Sequence, residues 1–335
     1  MQAVPTEPER APLLEVEQLV KHFEVRRGAF GRALEVVRAV DGVTFVVGRG
    51  ETVGLVGESG SGKTTVGRAV LRLIEPTSGT VRFEGRDLGK LGREELRRTR
   101  PRMQIIFQDP YASLNPRMTV GDAIAEGPFV HGLSRGPELE RLVVRLLDRV
   151  GLPASARKRF AHEFSGGQRQ RICIARALSL SPSFIVCDEA VSALDLSIQA
   201  QVLNLLRDLQ AELGLTYLFI THNLNVVRYL ADRVLVMYLG RIVEGASAEA
   251  LFNAPAHPYT RALLSANPLP NPHARFDPVL LEGEVPSALH PPSGCRFHTR
   301  CPEVFAPCST VVPLERLIKI DPPHRVECHL AGDAA

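Results

Sequence analysis

No run in this chain of 335 residues approaches the ~18 uncharged apolar residues that a membrane-crossing helix needs. Residues 1–12 mix Pro, Glu and Arg without an apolar core, so they do not read as a secretory signal and are expected to be disordered. Both absences point to a cytoplasmic protein whose membrane contact, if any, is made through a partner. Net charge is also nearly missing: 40 Lys and Arg against 37 Asp and Glu leave +3, too little to argue for nucleic acid. Trp is absent, which excludes nothing. A disulfide scaffold is not expected of six Cys in a reducing compartment. Cys173 and Cys187 lie in apolar runs and read as core thiols, whereas Cys295, Cys301, Cys308 and Cys328 gather near the C-terminus.

What is present is ordinary for a soluble globular protein: 44% hydrophobic and 23% charged residues, long enough for one large domain with an appendage or for two modest ones. Strand-like runs occur at 13–23, 43–47, 52–56, 80–83, 184–187, 217–220 and 234–238. Residues 26–38 are basic with two Gly and suggest an exposed hairpin tip. Val66, Ala69, Val70 and Leu73 fall at i, i+3, i+4 and i+7, predicting one buried helical face. Residues 90–102 read as a charged helix, 118–180 as helix-rich, and 197–213 as a helix between two strands. Strand–helix–strand order implies a parallel sheet covered by helices. Beyond about residue 267 Pro becomes frequent and helical periodicity fades, which places a boundary near 270.

Gly57-Glu58-Ser59-Gly60-Ser61-Gly62-Lys63-Thr64 fits G-x-x-x-x-G-K-[ST], after an apolar strand and before an amphipathic helix. Glycines let the backbone wrap a phosphate without Cβ clashes. The exposed N–H groups and the helix N-terminus favour an anion. Lys63 is placed to reach the β- and γ-phosphates, and the Thr64 hydroxyl to meet Mg²⁺, with Thr65 completing the loop. A second apolar run, Phe184-Ile-Val-Cys187, ends in Asp188 and Glu189. A carboxylate at the C-terminal end of such a strand suits Mg²⁺ near a phosphate loop, and Glu189 is placed to polarise an attacking water. Ser165-Gly166-Gly167-Gln168 opens another helix, with Ser165 suited to the N-cap and a second anion site behind it. Two such sites let a chain bind one nucleotide between two molecules.

Phe164-Ser-Gly-Gly-Gln168 resembles the LSGGQ segment of ABC ATPases, with Phe164 in place of Leu. The order of motifs is similar to that family over residues 13 to about 330. The resemblance implies an α/β fold: a P-loop NTPase (RecA-like) core with an antiparallel β subdomain and an α-helical subdomain at about 109–180. The ATPase domain would span 13–270 and a Cys-containing extension 271–335. It also implies roles. Phe23 resembles the aromatic that stacks on adenine, and Gln108 the residue that touches Mg²⁺ and water and senses the membrane subunit. Asp195 resembles the residue linking the two sites of the dimer, and His222 the one holding the γ-phosphate and attacking water. Three departures stand out: Ala190 follows Glu189 where Pro is usual, Asn223 follows His222 where Asp is usual, and Phe164 replaces Leu. None removes a group that touches nucleotide, but the turn after Glu189 is expected to be less rigid.

Three runs are similar to the oligopeptide/dipeptide importer ATPases, second-subunit type: Phe107-Gln-Asp-Pro-Tyr-Ala-Ser-Leu-Asn-Pro116, Val191-Ser-Ala-Leu-Asp-Leu-Ser-Ile-Gln-Ala-Gln201 and His257-Pro-Tyr-Thr-Arg-Ala-Leu-Leu264. That group also imports nickel and glutathione, so the solute does not follow. Four thiols in a Pro-rich tail suggest a metal, without the C-x₂-C pairs of structural zinc. The family resemblance favours a [4Fe–4S] cluster on Cys295, Cys301, Cys308 and Cys328, with zinc or free thiols as the alternatives.

The expected cofactors are ATP and Mg²⁺. The expected partners are a second ATPase subunit in a head-to-tail dimer, integral membrane permease subunits and, indirectly, an extracytoplasmic solute-binding protein, but no nucleic acid. The expected place is the cytoplasmic face of the membrane. A competing function is a soluble ABC ATPase of translation or DNA repair. Those types carry two ATPase units or long coiled coils, and neither is seen here. A regulatory subunit without turnover would lack Glu189 or His222, and both are present.

Overall fold

The structure, a computed structural model, describes residues 12–27, 33–266, 281–319 and 322–332. The expected disorder of 1–12 (save Pro12) and the boundary near 270 lie outside the described residues, as do 28–32 of the hairpin tip expected at 26–38, whose other residues belong to strands.

The described strands are β1 (Pro12–Arg27), β2 (Ala33–Gly48), β3 (Thr52–Val56), β4 (Ser78–Phe83), β5 (Arg86–Asp87), β6 (Met103–Ile106), β7 (Phe184–Asp188), β8 (Thr216–Thr221), β9 (Arg233–Tyr238), β10 (Arg241–Ser247), β11 (Glu315–Lys319) and β12 (His324–Glu327). The helices are α1 (Lys63–Val70), α2 (Arg93–Thr99), α3 (Pro110–Ser113), α4 (Val120–Val130), α5 (Gly136–Arg149), α6 (Gly166–Leu178), α7 (Leu196–Leu213), α8 (Leu224–Leu230), α9 (Ala248–Asn253) and α10 (Pro258–Ser265). The chain divides into two compact units. One holds 47–52 and 83–220 with the described residues up to Leu14. The other holds the described parts of 15–46, 53–82 and 221–335.

In the first unit β6, β7 and β8 run parallel, with Met103 opposite Phe184 and Asp188 opposite Ile220. Every residue of β7 and β8 is buried. That explains their continuous apolar runs: a parallel strand covered on both faces has no solvent side to alternate with. α7 buries Val202, Leu203, Leu206 and Leu209 along one stripe and stops at Gly214, whose φ of 64° suits a left-handed C-cap. In α5 the buried residues are Val143, Leu146 and Leu147, with Val150 just past its end, while Leu142 is only half-buried.

In the second unit β2, β1 and β4 lie side by side, and a second set runs β3–β9–β10–β12–β11. β3 pairs β9 in parallel, whereas β9–β10, β10–β12 and β12–β11 are antiparallel. Two segments of the C-terminal tail, Glu315–Lys319 and His324–Glu327, are therefore strands added to the sheet. Val56, Val236, Tyr238, Val243, Tyr259 and Phe297 share one core with α8, α9 and α10. Phe297 is 1% exposed, and burying a side chain of that size stabilises by roughly 2–3 kcal/mol. A register shift between Ile242 and Glu244 turns both Val243 and Glu244 inward. The Glu244 carboxylate is satisfied there by the backbone N–H groups of Ala256 (2.7 Å) and His257 (2.9 Å) and by His324 Nε2 (2.6 Å).

One sequence expectation fails locally. α1 ends at Val70, and Leu73, expected on its buried face, is 45% exposed in the turn beyond. Val66, Ala69 and Val70 are fully buried as expected.

Candidate nucleotide site

The second unit carries the phosphate loop, Phe23 and His222; the first carries Gln108, residues 165–168, Asp188, Glu189 and Asp195. β3 is buried throughout and delivers the chain to Gly57. Gly62, the N-cap of α1, has φ 104°, and a Cβ there would lie 2.0 Å from the Ala39 carbonyl oxygen. At Gly57 a Cβ would lie 2.1 Å from the Met237 carbonyl oxygen. Only glycine fits either place. The result is a tight glycine loop leading into a helix N-terminus, a place that suits a phosphate.

Lys63 is 5% exposed and folds back into this loop. Its Nζ donates to the carbonyls of Gly57 (2.8 Å) and Glu58 (2.7 Å) and to Ser61 Oγ (3.3 Å). Ser59 and Gly60 are exposed at the tip, and Thr64 and Thr65 are half-buried in the first turn of α1. Gly240 N–H ties the loop through the Ser61 carbonyl at 2.9 Å. Two further contacts on the loop were not legible in the sequence: Glu58 N–H donates to Tyr259 Oη at 2.9 Å, and Arg300 pairs with the Glu58 carboxylate. Phe23 is 38% exposed on β1, with Lys21 Nζ 4.9 Å above its ring.

His222 is exposed just after β8. The neighbouring Asn223, where Asp is usual, caps α8: its Oδ1 accepts from Asn225 N–H at 3.0 Å. Asn and Asp serve that position equally well, so the departure costs the local structure little.

In the first unit Asp188 ends β7 and is 5% exposed. Glu189 follows with φ 50°, a conformation that costs a non-glycine residue about 1–2 kcal/mol. Its N–H still reaches the Ile220 carbonyl (2.9 Å), and its carbonyl accepts from Ser192 N–H (3.1 Å) and Ser192 Oγ (3.0 Å). The turn with Ala190 in place of Pro is thus bridged by Ser192. The Glu189 carboxylate meets Gln108, whose Nε2 donates to Oε2 at 3.0 Å.

Ser165 is the N-cap of α6: its Oγ accepts from Gln168 N–H (3.4 Å), and Gln168 Oε1 accepts from Ser165 N–H (3.1 Å). This reciprocal pair fixes the helix entry. Gly167 lets α6 approach α7, since a Cβ would meet Ile198 Cγ2 at 2.3 Å. Gly166 has room, its nearest neighbour standing 3.6 Å away. Phe164 is buried, with the Arg159 guanidinium 4.4 Å from its ring centroid, so the larger ring is accommodated. Asp195 is exposed at the N-cap of α7, and the adjacent Leu196 is 81% exposed.

Cys173 and Cys187 are core thiols, 3% and 0% exposed. The four C-terminal thiols share a neighbourhood: Cys295 N–H donates to the Cys308 carbonyl at 2.8 Å, and Cys308 and Cys328 are buried. Burial pushes the Cys295 thiol up to about 11, and the nearby Cys328, Cys308 and Cys301 add to the rise. Among the described residues no group of three or more His, Cys, Asp or Glu is arranged to hold a metal ion. As placed, these thiols do not form a ligand set. No helix among the described residues is long and apolar enough to cross a membrane.

Comparison with known proteins agrees with this geometry. Residues 40–192 match the ABC transporter model, and residues 243–308 match the oligopeptide/dipeptide transporter C-terminal region. A putative peptide import ATP-binding protein of Brucella ovis is 56% identical over 317 residues, covering 95% of this chain and 97% of that protein. The oligopeptide transport ATP-binding protein AppF of Bacillus subtilis is 49% identical over 321 residues, 95% of this chain and 97% of that one. Among solved structures, cbiO1 of Clostridium perfringens, part of the ABC transporter complex cbiONQ, aligns with a TM-score of 0.63 at 26% identity, covering 73% of this chain and 92% of that chain. The dimeric ATP-binding cassette MJ0796 bound to ADP and Pi aligns with a TM-score of 0.61 at 27% identity, covering 70% and 98%.

Proposed function

Because the chain belongs to the ABC transporter family, in the branch of the peptide-import ATP-binding proteins, we propose that it hydrolyses ATP to drive an importer of oligopeptides or dipeptides through the residues named below. The observation that carries this reading is the phosphate loop: a glycine cradle with the Lys63 ammonium already turned into it.

On this reading ATP lies in the loop at 57–65, with Phe23 against the base. Lys63 exchanges its loop carbonyls for phosphate oxygens, which become its stronger, charge-assisted partners. Thr64, Asp188 and Gln108 are the residues that would hold Mg²⁺, whose charge would offset that of the phosphates. Glu189 takes the proton of the attacking water, and the Gln108 amide, donating to its carboxylate, keeps that carboxylate aimed. His222 steadies the γ-phosphate.

Two ATPase subunits meet head to tail. Residues 165–168 and Asp195 of each close over the partner's nucleotide; the exposure of Ser165, Gln168, Asp195 and Leu196 supports this use. The groove beside β6, lined by Phe107, Ala123, Glu126 and Val130, takes a cytoplasmic helix of the permease. The exposed Phe129, Val130 and Leu133 around it favour an apolar partner. The subunit then works at the cytoplasmic face of the membrane, with an extracytoplasmic binding protein supplying the solute.

A [4Fe–4S] cluster on Cys295, Cys301, Cys308 and Cys328 is the finer reading of the tail: the other three thiols lie within electrostatic reach of Cys295, though as placed the four do not form a ligand set. It takes no part in the steps above. Iron and sulfide near stoichiometry in anaerobically purified chain would carry it; folded, metal-free protein removes it. The C-terminal match separates this chain from ATPases of translation or DNA repair. Co-purification with permease subunits, against ribosomes or DNA, tests the whole reading.

A further inference from the structure

The phosphate loop is held from outside at its second residue. Glu58 N–H donates to Tyr259 Oη at 2.9 Å, and its carboxylate receives a fork from Arg300, Nη1 to Oε2 at 2.8 Å and Nη2 to Oε1 at 3.3 Å. Arg300 Nη1 also lies 3.5 Å from Tyr238 Oη. The side chains of Arg300 and Glu58 are 8% and 25% exposed. A two-point, largely buried pair of this kind is worth more than a surface ion pair, and breaking it strands a charge.

Arg300 comes from far away in sequence, in the 3-10 turn His298–Arg300 between Cys295 and Cys301. Phe297 plugs that turn into the rings of Tyr238 and Tyr259, with centroids 5.3 Å from each. Arg296, on the other side of Phe297, donates to Asp41 and to the Leu239 carbonyl. The turn is therefore pinned on both flanks, and Arg300 meets the loop as a fixed group.

We propose that Arg300, supplied by the C-terminal extension, is a positioning residue for the phosphate loop and sets its affinity for a nucleoside triphosphate. The inference rests on the nucleotide site proposed above. Two physical effects act together. The clamp, with Tyr259, holds the loop in one conformation before ligand arrives, so less order is lost on binding. It also neutralises a carboxylate that sits within the loop meant to receive a polyanion. Without Arg300 the Glu58 charge is released beside the phosphates.

The test measures Mg²⁺-dependent binding of ATP to the full chain by titration calorimetry. Wild type must bind; if it does not, the nucleotide site itself is wrong, whatever Arg300 does. Arg300→Ala is expected to weaken binding about tenfold. Arg300→Lys, which restores charge without the fork, recovers part of the loss. The double variant Glu58→Gln, Arg300→Ala binds better than two independent losses would allow, because the freed carboxylate is gone. Should Arg300→Ala not fold, Arg300→Gln takes its place with the same expectations. Wild-type affinity in the Ala or Gln variant, or losses at 58 and 300 that simply multiply, would overturn the proposal. So would a lowered melting temperature with unchanged affinity.

Discussion

Gln108 Nε2 and Glu189 Oε2 stand 3.0 Å apart, joining residues 81 positions distant in sequence. The amide donates to the carboxylate that is proposed to act on water. Glu189→Gln removes the base but keeps the size, so ATP affinity should stay within about threefold while turnover in the assembled transporter falls by roughly 10²–10⁴-fold. Near-normal turnover would sink the assignment. Gln108→Ala should slow turnover less, since it removes an aiming contact and not the base.

Lys63 Nζ donates to its own loop, to two carbonyls and a hydroxyl. Lys63→Ala should lower ATP affinity by about 100-fold or more, some 3 kcal/mol. Equilibrium titration with ATP and Mg²⁺ checks this, and affinity close to wild type would count against the site.

Gly166 and Gly167 are adjacent but face different surroundings. Gly167→Ala drives a Cβ to 2.3 Å from Ile198 Cγ2 and should destabilise by about 1–3 kcal/mol. Gly166→Ala meets nothing closer than 3.6 Å and should melt near the wild-type temperature. If it closes over a partner's nucleotide, its loss should appear as slower ATP turnover in the dimer. Calorimetric melting of both variants, with turnover measured alongside, separates the two roles; equal melting temperatures would contradict the packing argument.

His257 gives the fold an acid-sensitive point. Burial pushes its imidazole down to about 4, the Nδ1 accepts from Tyr259 N–H at 3.0 Å, and Nε2 has no partner among the described residues. The unfolded chain takes up a proton near pH 6.5, which the native ring refuses until about pH 4. Its contribution is therefore intact above pH 6.5 and lost as pH falls toward 4, by up to about 3 kcal/mol. Glu244, held below the usual carboxylate range by His324 and two backbone N–H groups that outweigh its burial, adds a loss at lower pH still. His257→Asn keeps a capping acceptor without the titration, so melting temperature should vary less between pH 4 and 6.5. A pH slope equal to wild type would rule His257 out.

The parts of this molecule visible in sequence were those encoded locally. β3, β7 and β8 announced themselves as unbroken apolar runs because both of their faces are covered. Ser165 was legible as a cap because its partner lies three residues on. Leu73 misled, since a helical spacing continues past the place where α1 stops. The strands β11 and β12 were not foreseen: each is short, and β12 finds its partner β10 about 80 residues earlier. The same holds for Arg300 and Glu58, 242 residues apart, and for Glu244, buried by a register shift no local pattern reports. Distance along the chain, more than chemical subtlety, separates what could be read from what could not.

The antiparallel pairing of β12 onto β10 means that the ATPase part cannot be cleanly excised by ending the chain near residue 270. Such a truncation would bare a row of backbone donors and acceptors along β10, leave the Phe297 socket open beside Tyr238 and Tyr259, and invite edge-to-edge aggregation.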